Sequence, residues 1–117
     1  MERKLSQHQG DLLRGNTDCL LLFLIKEEGS SYGYQLIKEM QRRSQGYFRF
    51  NEGTIYPALH RLESEGLIQG ERKELPNGQP RRCYSITAKG EAVLAERIAA
   101  WEDFATAVKL VLGPTDT

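Results

Sequence analysis

The sequence has few of the residues that build disulfide frameworks, metal centres or membrane spans. Its two cysteines, Cys19 and Cys83, are too few for a disulfide framework or a zinc set, and they favour a reducing compartment. The longest uninterrupted apolar run, Cys19 to Ile25, has seven residues, whereas a bilayer span needs about twenty. The first fifteen residues are polar and interrupted, unlike a secretory signal. We therefore expect a cytoplasmic protein with no membrane partner.

Groupings typical of catalysis are also missing from the sequence. The two histidines, His8 and His60, are far apart, and no Ser-His-Asp arrangement, phosphate-binding loop or metal-ligand spacing accompanies them. Glu63 and Glu65 are two residues apart on a predicted helix, so they face different directions and do not form an acid–base pair. We expect no enzyme activity, no cofactor and no metal ion.

The overall net charge does not indicate a nucleic-acid partner, but the distribution of charge along the chain does. The 117 residues are enough for one hydrophobic core, and their formal net charge is zero. Residues 30–86 nevertheless hold nine basic and six acidic residues, whereas residues 87–117 hold three basic and five acidic ones. The modest basic excess of the middle segment is where we expect a nucleic-acid surface.

Helix-start residues and apolar spacing predict two helices in the first part of the chain. The first is expected to start at Asn16–Asp18 and to run through CLLLFLIKEE (19–28) to a glycine stop. Its apolar residues lie on more than one face, so we expect cover from the core and from a second chain. Two serines are expected to cap a second helix, Tyr32 to about Gln45, whose apolar residues fall at helical spacing.

A third helix and a β-hairpin are predicted in the middle of the chain. Asn51 is expected to cap the third helix, NEGTIYPALHRLESEG, in which apolar residues recur at i, i+4 and i+7. Residues 67–73 and 81–86 are expected to form two strands. The Asn77-Gly78 pair between them is a strong hairpin-turn signal.

This order of elements is typical of a winged helix-turn-helix protein. A helix, a tight connection, a capped second helix and a hairpin follow one another over residues 30–86. The predicted fold class is mainly α with a small β-hairpin, a winged helix-turn-helix plus a long C-terminal dimerisation helix. We expect residues 1–86 to form the DNA-binding domain, including the N-terminal helix, and residues 87–117 to form the dimerisation helix.

The residues expected to contact double-stranded DNA lie on the predicted helix-turn-helix and on the wing. In a winged helix, the N-terminal residues of the second helix approach base edges, and the hairpin lies on the flanking backbone or minor groove. The predicted DNA-contacting residues are Tyr34, Asn51, Gly53, Thr54, Tyr56, His60, Arg61, Lys73, Arg81 and Arg82.

Each of these residues also has a purely structural interpretation. Asn51 is equally a helix cap, Tyr56 a core residue and His60 a solvated helix residue. Lys73 and Arg82 are also the cations expected to guard an edge strand against aggregation. The prediction therefore depends on their convergence on one face and not on any single residue.

A long final helix carries a seam of apolar residues. Thr87 is expected to cap it, and it runs from about Ala88 to Leu112, roughly 37 Å. Apolar residues spaced 4, 3, 4, 3 and 4 apart form a heptad seam, which favours a homodimer over packing on the same domain alone. The predicted dimerisation residues are Leu21, Leu24, Leu94, Ile98, Trp101, Phe104, Val108 and Leu112.

Three stretches of the chain resemble the PadR family of transcriptional regulators. They are SSYGYQLIKEM, FNEGTIYPALHRLESEGLI and RRCYSITAKGEAVL, and the opening LLRGNTDCLLLFLI resembles the N-terminal helix of the family. The resemblance covers about residues 12 to 112. The short C-terminus with one helix is similar to the smaller PadR subfamily, which dimerises through its first and last helices. Cys83 and Tyr32 depart from the family pattern, which often has an aromatic and a histidine at these positions.

The resemblance implies a cytoplasmic, two-fold symmetric regulator, usually a repressor, that binds a palindromic operator. It also implies a small aromatic effector, because multidrug-binding members of the small subfamily use a tryptophan at a place similar to Trp101. Trp101 and Ala105 are the expected ligand residues, and the alternative is that Trp101 only fills the dimer core. The alternative function is a winged-helix module for protein interaction or RNA binding.

Overall fold

The computed structural model describes residues 7–114, with side chains described from Asn16 onward. Within this range the chain is mostly helical and has one small antiparallel sheet, which confirms the predicted fold class. The elements in chain order are α1 Gln7–Glu28, β1 Ser31–Tyr32, α2 Gly33–Arg43, α3 Glu52–Ser64, β2 Ile68–Glu74, β3 Pro80–Ile86 and α4 Ala88–Leu112.

The first helix starts earlier than predicted. α1 begins at Gln7, so the predicted start at Asn16–Asp18 is wrong and these residues lie inside the helix. Thr17 is buried, and the Asp18 carboxylate binds Arg61 of α3. Capping residue types are tolerated in a helix interior when their side chains have partners elsewhere. The predicted end is confirmed, because the Gly29 N–H donates to the Ile25 carbonyl at 3.0 Å.

A short strand precedes the second helix, where a helix start was predicted. Ser31 and Tyr32 form β1, which pairs with Tyr84 and Cys83 of β3, so the sheet has the order β1-β3-β2. The wing hairpin is therefore part of a three-stranded sheet. Two residues are too short for an alternating pattern, which explains why the sequence did not indicate the strand. α2 itself ends at Arg43, two residues before the predicted end.

The third helix, the hairpin and the final helix agree with their predictions. Asn51 caps α3, and its Oδ1 accepts from the Thr54 N–H at 3.0 Å. β2 and β3 pair in register from Ile68–Ile86 to Glu74–Pro80. Gly78 has a φ of +84°, which suits glycine in the turn that joins them. Thr87 caps α4, whose bounds coincide with the predicted ones.

The core lies between α1, α2, α3, the start of α4 and the base of the β2–β3 hairpin. Leu21 and Leu24 of α1 and Leu94 of α4 are buried in this core of their own chain. They therefore have almost no surface to offer a second chain, and we leave them out of the dimer surface proposed below. From Asn16 onward, the large apolar side chain that α1 exposes is Phe23, at 39%. A helix at the centre of a small domain needs apolar residues on several faces for its own core.

Candidate nucleic-acid interface

One face of α3 packs on the core and the opposite face is free. The buried face holds Ile55, Ala58, Leu59 and Leu62. The exposed residues Gly53, Pro57, His60 and Ser64 follow at intervals of four, three and four, which places them on one outward stripe. The packing thus presents the whole length of α3 to the outside, and its first turn carries the predicted contacts Asn51, Gly53 and Thr54, all exposed.

Tyr56 lies at the side of α3, against the beginning of α2. A Cβ atom at Gly33 would come within 2.6 Å of Tyr56 Cε1, so this close approach needs glycine. Tyr56 keeps 41% of its surface exposed, and its interpretation as a core residue is therefore wrong. Tyr34, one residue after Gly33, is also exposed and has Lys38 Nζ 5.1 Å from its ring centroid. Two exposed, hydroxyl-bearing rings thus lie on α3 and at the beginning of α2, and the ring on α2 has a cation beside it.

Arg61 is directed away from this stripe. Its guanidinium binds the Asp18 carboxylate of α1, and Arg97 of α4 lies 3.9 Å from the other oxygen of Asp18. The pair joins α3 to α1 beside α4, so the charge of Arg61 is offset by Asp18, and the DNA contact of Arg61 stays a prediction. The sequence shows that Arg61 follows His60 on α3. It does not show that the carboxylate of Asp18, 43 residues earlier, forms an ion pair with Arg61.

The three predicted cations of the wing do not share one face. Residues directly opposite in an antiparallel pair point to the same side of the sheet. Lys73 is opposite Arg81, whereas Arg82 is opposite Arg72, one residue further along, and therefore points to the other side. Lys73 Nζ lies 3.4 Å from Ser30 Oγ, and Arg81 donates to Gln79 and to the carbonyl of Pro80. Neither of these cations is paired with a carboxylate in these contacts.

Arg82 is held by a carboxylate of α3. Its Nη2 donates to Glu63 Oε2 at 2.5 Å, and the Gly70 N–H donates to the same oxygen at 3.1 Å. The hydrogen bond from Arg82 has the largest effect and lowers the pKa of the Glu63 carboxyl below its usual value. Burial opposes it, and the hydrogen bond from Gly70 adds a smaller lowering of this pKa. Glu63 is thus ionised at neutral pH and offsets the charge of Arg82.

The contact of Glu63 with the wing was not predicted. Its partners Arg82 and Gly70 lie 19 and seven residues further along the chain, and the sequence suggested only an acid–base role to test for Glu63. No local pattern indicates that a helix residue will contact the wing.

The described part of the chain contains no helix long and apolar enough to cross a membrane, and no cluster of three residues suited to a metal ion.

An outward helix of a helix-turn-helix pair, followed by a sheet that carries cations, defines a winged-helix DNA-binding protein. The model of the transcriptional regulator PadR-like family matches residues 21–96. That match spans more than half of the chain, and the protein therefore belongs to the PadR-like family of DNA-binding transcriptional regulators.

Similar proteins agree with this assignment. The transcriptional regulator Rv3488 of Mycobacterium tuberculosis is 39% identical over 77 residues, which cover 66% of this chain and 68% of that protein. The crystal structure of a PadR-like transcriptional regulator of Bacillus cereus is 32% identical with a TM-score of 0.78, and the match covers 90% of this chain and 99% of that one. A transcriptional regulator of Clostridium thermocellum has the same TM-score at 29% identity, with 88% and 99% covered.

Proposed function

We propose that the protein is a homodimeric repressor that binds a two-fold symmetric operator. The observation that carries the proposal is an apolar stripe on the second half of α4 that remains exposed among the side chains the structure describes. Trp101, Phe104 and Val108 are 54%, 62% and 37% exposed, and Val111 and Leu112 are exposed beyond them. Large contiguous apolar surfaces on small proteins mark interaction sites.

The stripe continues the face by which α4 packs on its own domain. Leu94 is buried in the core and Ile98 is packed against it, one turn further along. Trp101, half-buried Ala105 and Val108 then repeat the same spacing beyond the domain. A second copy of α4 related by a two-fold axis would cover this surface with an identical one. Of the predicted dimer residues we retain Ile98, Trp101, Phe104, Val108 and Leu112, and we add Phe23.

A dimer of this kind supplies two α3 helices for one DNA site. Two-fold related recognition helices bind successive major grooves when they lie about 34 Å apart, which corresponds to half-sites one helical turn apart. We propose that residues before α4 bind DNA and that α4 dimerises. When the operator overlaps a promoter, the bound dimer excludes the polymerase.

Selection of duplexes from a random pool should yield an inverted repeat, and the protein should reduce in vitro transcription from a promoter that contains it. Recovery of RNA or of no preferred sequence would favour the alternative module.

The cations on one side of the wing provide a test of its contact with DNA. Lys73→Ala and Arg81→Ala should each weaken binding to the selected duplex and to unrelated duplexes alike, and each should reduce the slope of log affinity against log salt by about 1. Arg61→Ala, which removes a cation already paired with Asp18, should leave the slope unchanged. Equal slopes for all three variants and the wild type would contradict contact between the wing and phosphates.

We also propose that a planar aromatic cation binds beside the dimer axis and releases the DNA. An open groove of about 510 Å³ lies between α1 and α4, with Phe23, Ile98 and Ala99 among its apolar lining. Lys26, Glu27, Glu91 and Glu102 also line it. Glu27 is paired with Arg43, so Glu91 and Glu102 against the lining cation Lys26 leave an acidic excess that favours a cation. Trp101 and Ala105 lie one and two turns further along α4.

Fluorescence of Trp101, the single tryptophan, tests this effector site. Titration of the dimer with a planar aromatic cation such as ethidium should give saturable quenching, and the same concentrations should weaken binding to the selected duplex. Glu102→Gln should raise the dissociation constant for the cation several-fold, because it removes one of the groove's carboxylates. Quenching that is equal for the monomeric and dimeric protein would contradict a site at the axis.

A further inference from the structure

The contact between α3 and the wing is concentrated on one carboxylate oxygen. Glu63 lies in the last turns of α3, and its Oε2 accepts from Gly70 of β2 and from Arg82 of β3. We call Glu63, Gly70 and Arg82 the wing link. It reaches both strands of the hairpin from one residue of the recognition helix.

The two strands are shaped for this contact. β2 is an edge strand, since the sheet order is β1-β3-β2, and the Gly70 N–H donates to Glu63. The Arg82 guanidinium lies over Gly70, where an added Cβ would come within 2.5 Å of Arg82 Nε. Tyr84 is on the same side of β3, and its ring centroid lies 5.9 Å from Arg82 Cζ. A side chain at position 70 would displace the guanidinium from its place between Glu63 and this ring.

We propose that the wing link sets the angle of the wing relative to α3, so that Glu63 and Arg82 are positioning residues for DNA recognition and Arg82 is not a phosphate contact. This inference rests on the proposed binding of DNA by α3 and the wing together. A winged helix binds at full affinity only when its helix fits the major groove while its wing meets the flanking backbone. Ile68 and Tyr84 anchor the base of the hairpin in the core, whereas residues 71–74 of β2, towards the turn, are exposed. A charge-assisted bond from α3 to both strands restrains the hairpin where this core packing ends.

The position of the link explains why a carboxylate is suitable near DNA. A free Glu63 would repel phosphates, and a free Arg82 would bind them at many angles. Their pairing removes both effects, while Lys73 and Arg81 on the other side of the hairpin remain for the backbone. The link thus separates a cation that shapes the wing from the cations that bind DNA.

Three variants disrupt the link with different changes of charge. Glu63→Gln removes a negative charge, Arg82→Ala removes a positive one, and Gly70→Ala removes none while displacing the guanidinium. All three should weaken binding to the selected duplex about tenfold, with the salt slope within a few tenths of the wild-type value. The double variant Glu63→Gln/Arg82→Ala should bind no more weakly than either single variant, because both remove the same contact.

Two results would overturn the proposal. A salt slope that falls by about 1 in Arg82→Ala would show that Arg82 contacts a phosphate. Tighter binding by Glu63→Gln would show that Glu63 only repels DNA. The conservative variant Arg82→Lys, which keeps the charge but not the planar guanidinium, should retain the wild-type salt slope and recover only part of the affinity.

A measurement without DNA separates this proposal from the proposed function. Hydrogen exchange of the Gly70 amide in the free protein should accelerate at least tenfold in Glu63→Gln and in Arg82→Ala. Arg72→Ala, the cross-strand neighbour of Arg82, should leave that exchange rate unchanged. If the wild type binds no duplex but shows this exchange pattern, the function fails and the link stands. If it binds a selected duplex while Gly70 exchanges equally fast in every variant, the link fails alone.

Discussion

Phe104→Glu is expected to convert the protein from a dimer into a monomer. Phe104 is 62% exposed in the single chain and lies on the stripe that we assign to the dimer. Loss of a buried aromatic anchor costs an interface about 2 kcal/mol, and the two-fold axis makes each substitution occur twice, so the dimer dissociation constant should rise about a thousandfold. Sedimentation equilibrium across micromolar concentrations measures this change directly.

The same helix offers a matched control for this variant. Leu110 is 78% exposed, and it lies nine residues after Trp101, half a turn round the helix from the stripe. Leu110→Glu should therefore leave the dimer intact. Phe104→Glu should also lose most of its affinity for the full operator while keeping that for a single half-site. A wild-type protein that sediments as a monomer, or a Phe104→Glu variant that remains dimeric, would contradict the assigned interface.

Gly53→Glu is expected to abolish specific DNA binding while it preserves the fold. Gly53 lies in the first turn of α3 on the outward stripe, and it is exposed. A carboxylate in the first turn suits the helix dipole, so the melting temperature should stay within a few degrees of the wild type. In the major groove the same carboxylate meets base edges and phosphates at close range. Affinity for the selected duplex should fall at least a hundredfold, or roughly 3 kcal/mol.

Ser64→Glu provides the control at the other end of the stripe. It adds the same charge at the last residue of α3, about 16 Å from Gly53 along the helix axis. Helix-turn-helix proteins insert the N-terminal end of the recognition helix, so Ser64→Glu should weaken binding several-fold at most. Equal losses for the two variants would show that α3 lies along the DNA or outside the groove. Gel-shift titration at two salt concentrations distinguishes these outcomes.

The elements with local signals were predicted well, and the contacts between distant residues were not. The bounds of α4 and the Asn51 cap of α3 follow from residues that adjoin them in the chain. β1 was missed because a strand of two residues is defined by its partners in β3. The start of α1 was wrong because Asp18, a capping type, has its partner in α3 instead of the local backbone.

The sequence by itself determined the recognition helix, the hairpin, the long final helix and the family, because these depend on spacing, caps and motif within short stretches. Only the tertiary structure decided which side chains remain available for a partner. Arg61 and Arg82 are paired with carboxylates 43 and 19 residues away, and Leu21 and Leu24 are buried in the core of their own chain. Charge and apolar surface are visible in a sequence, but their neutralisation and burial depend on which distant segments the fold brings into contact.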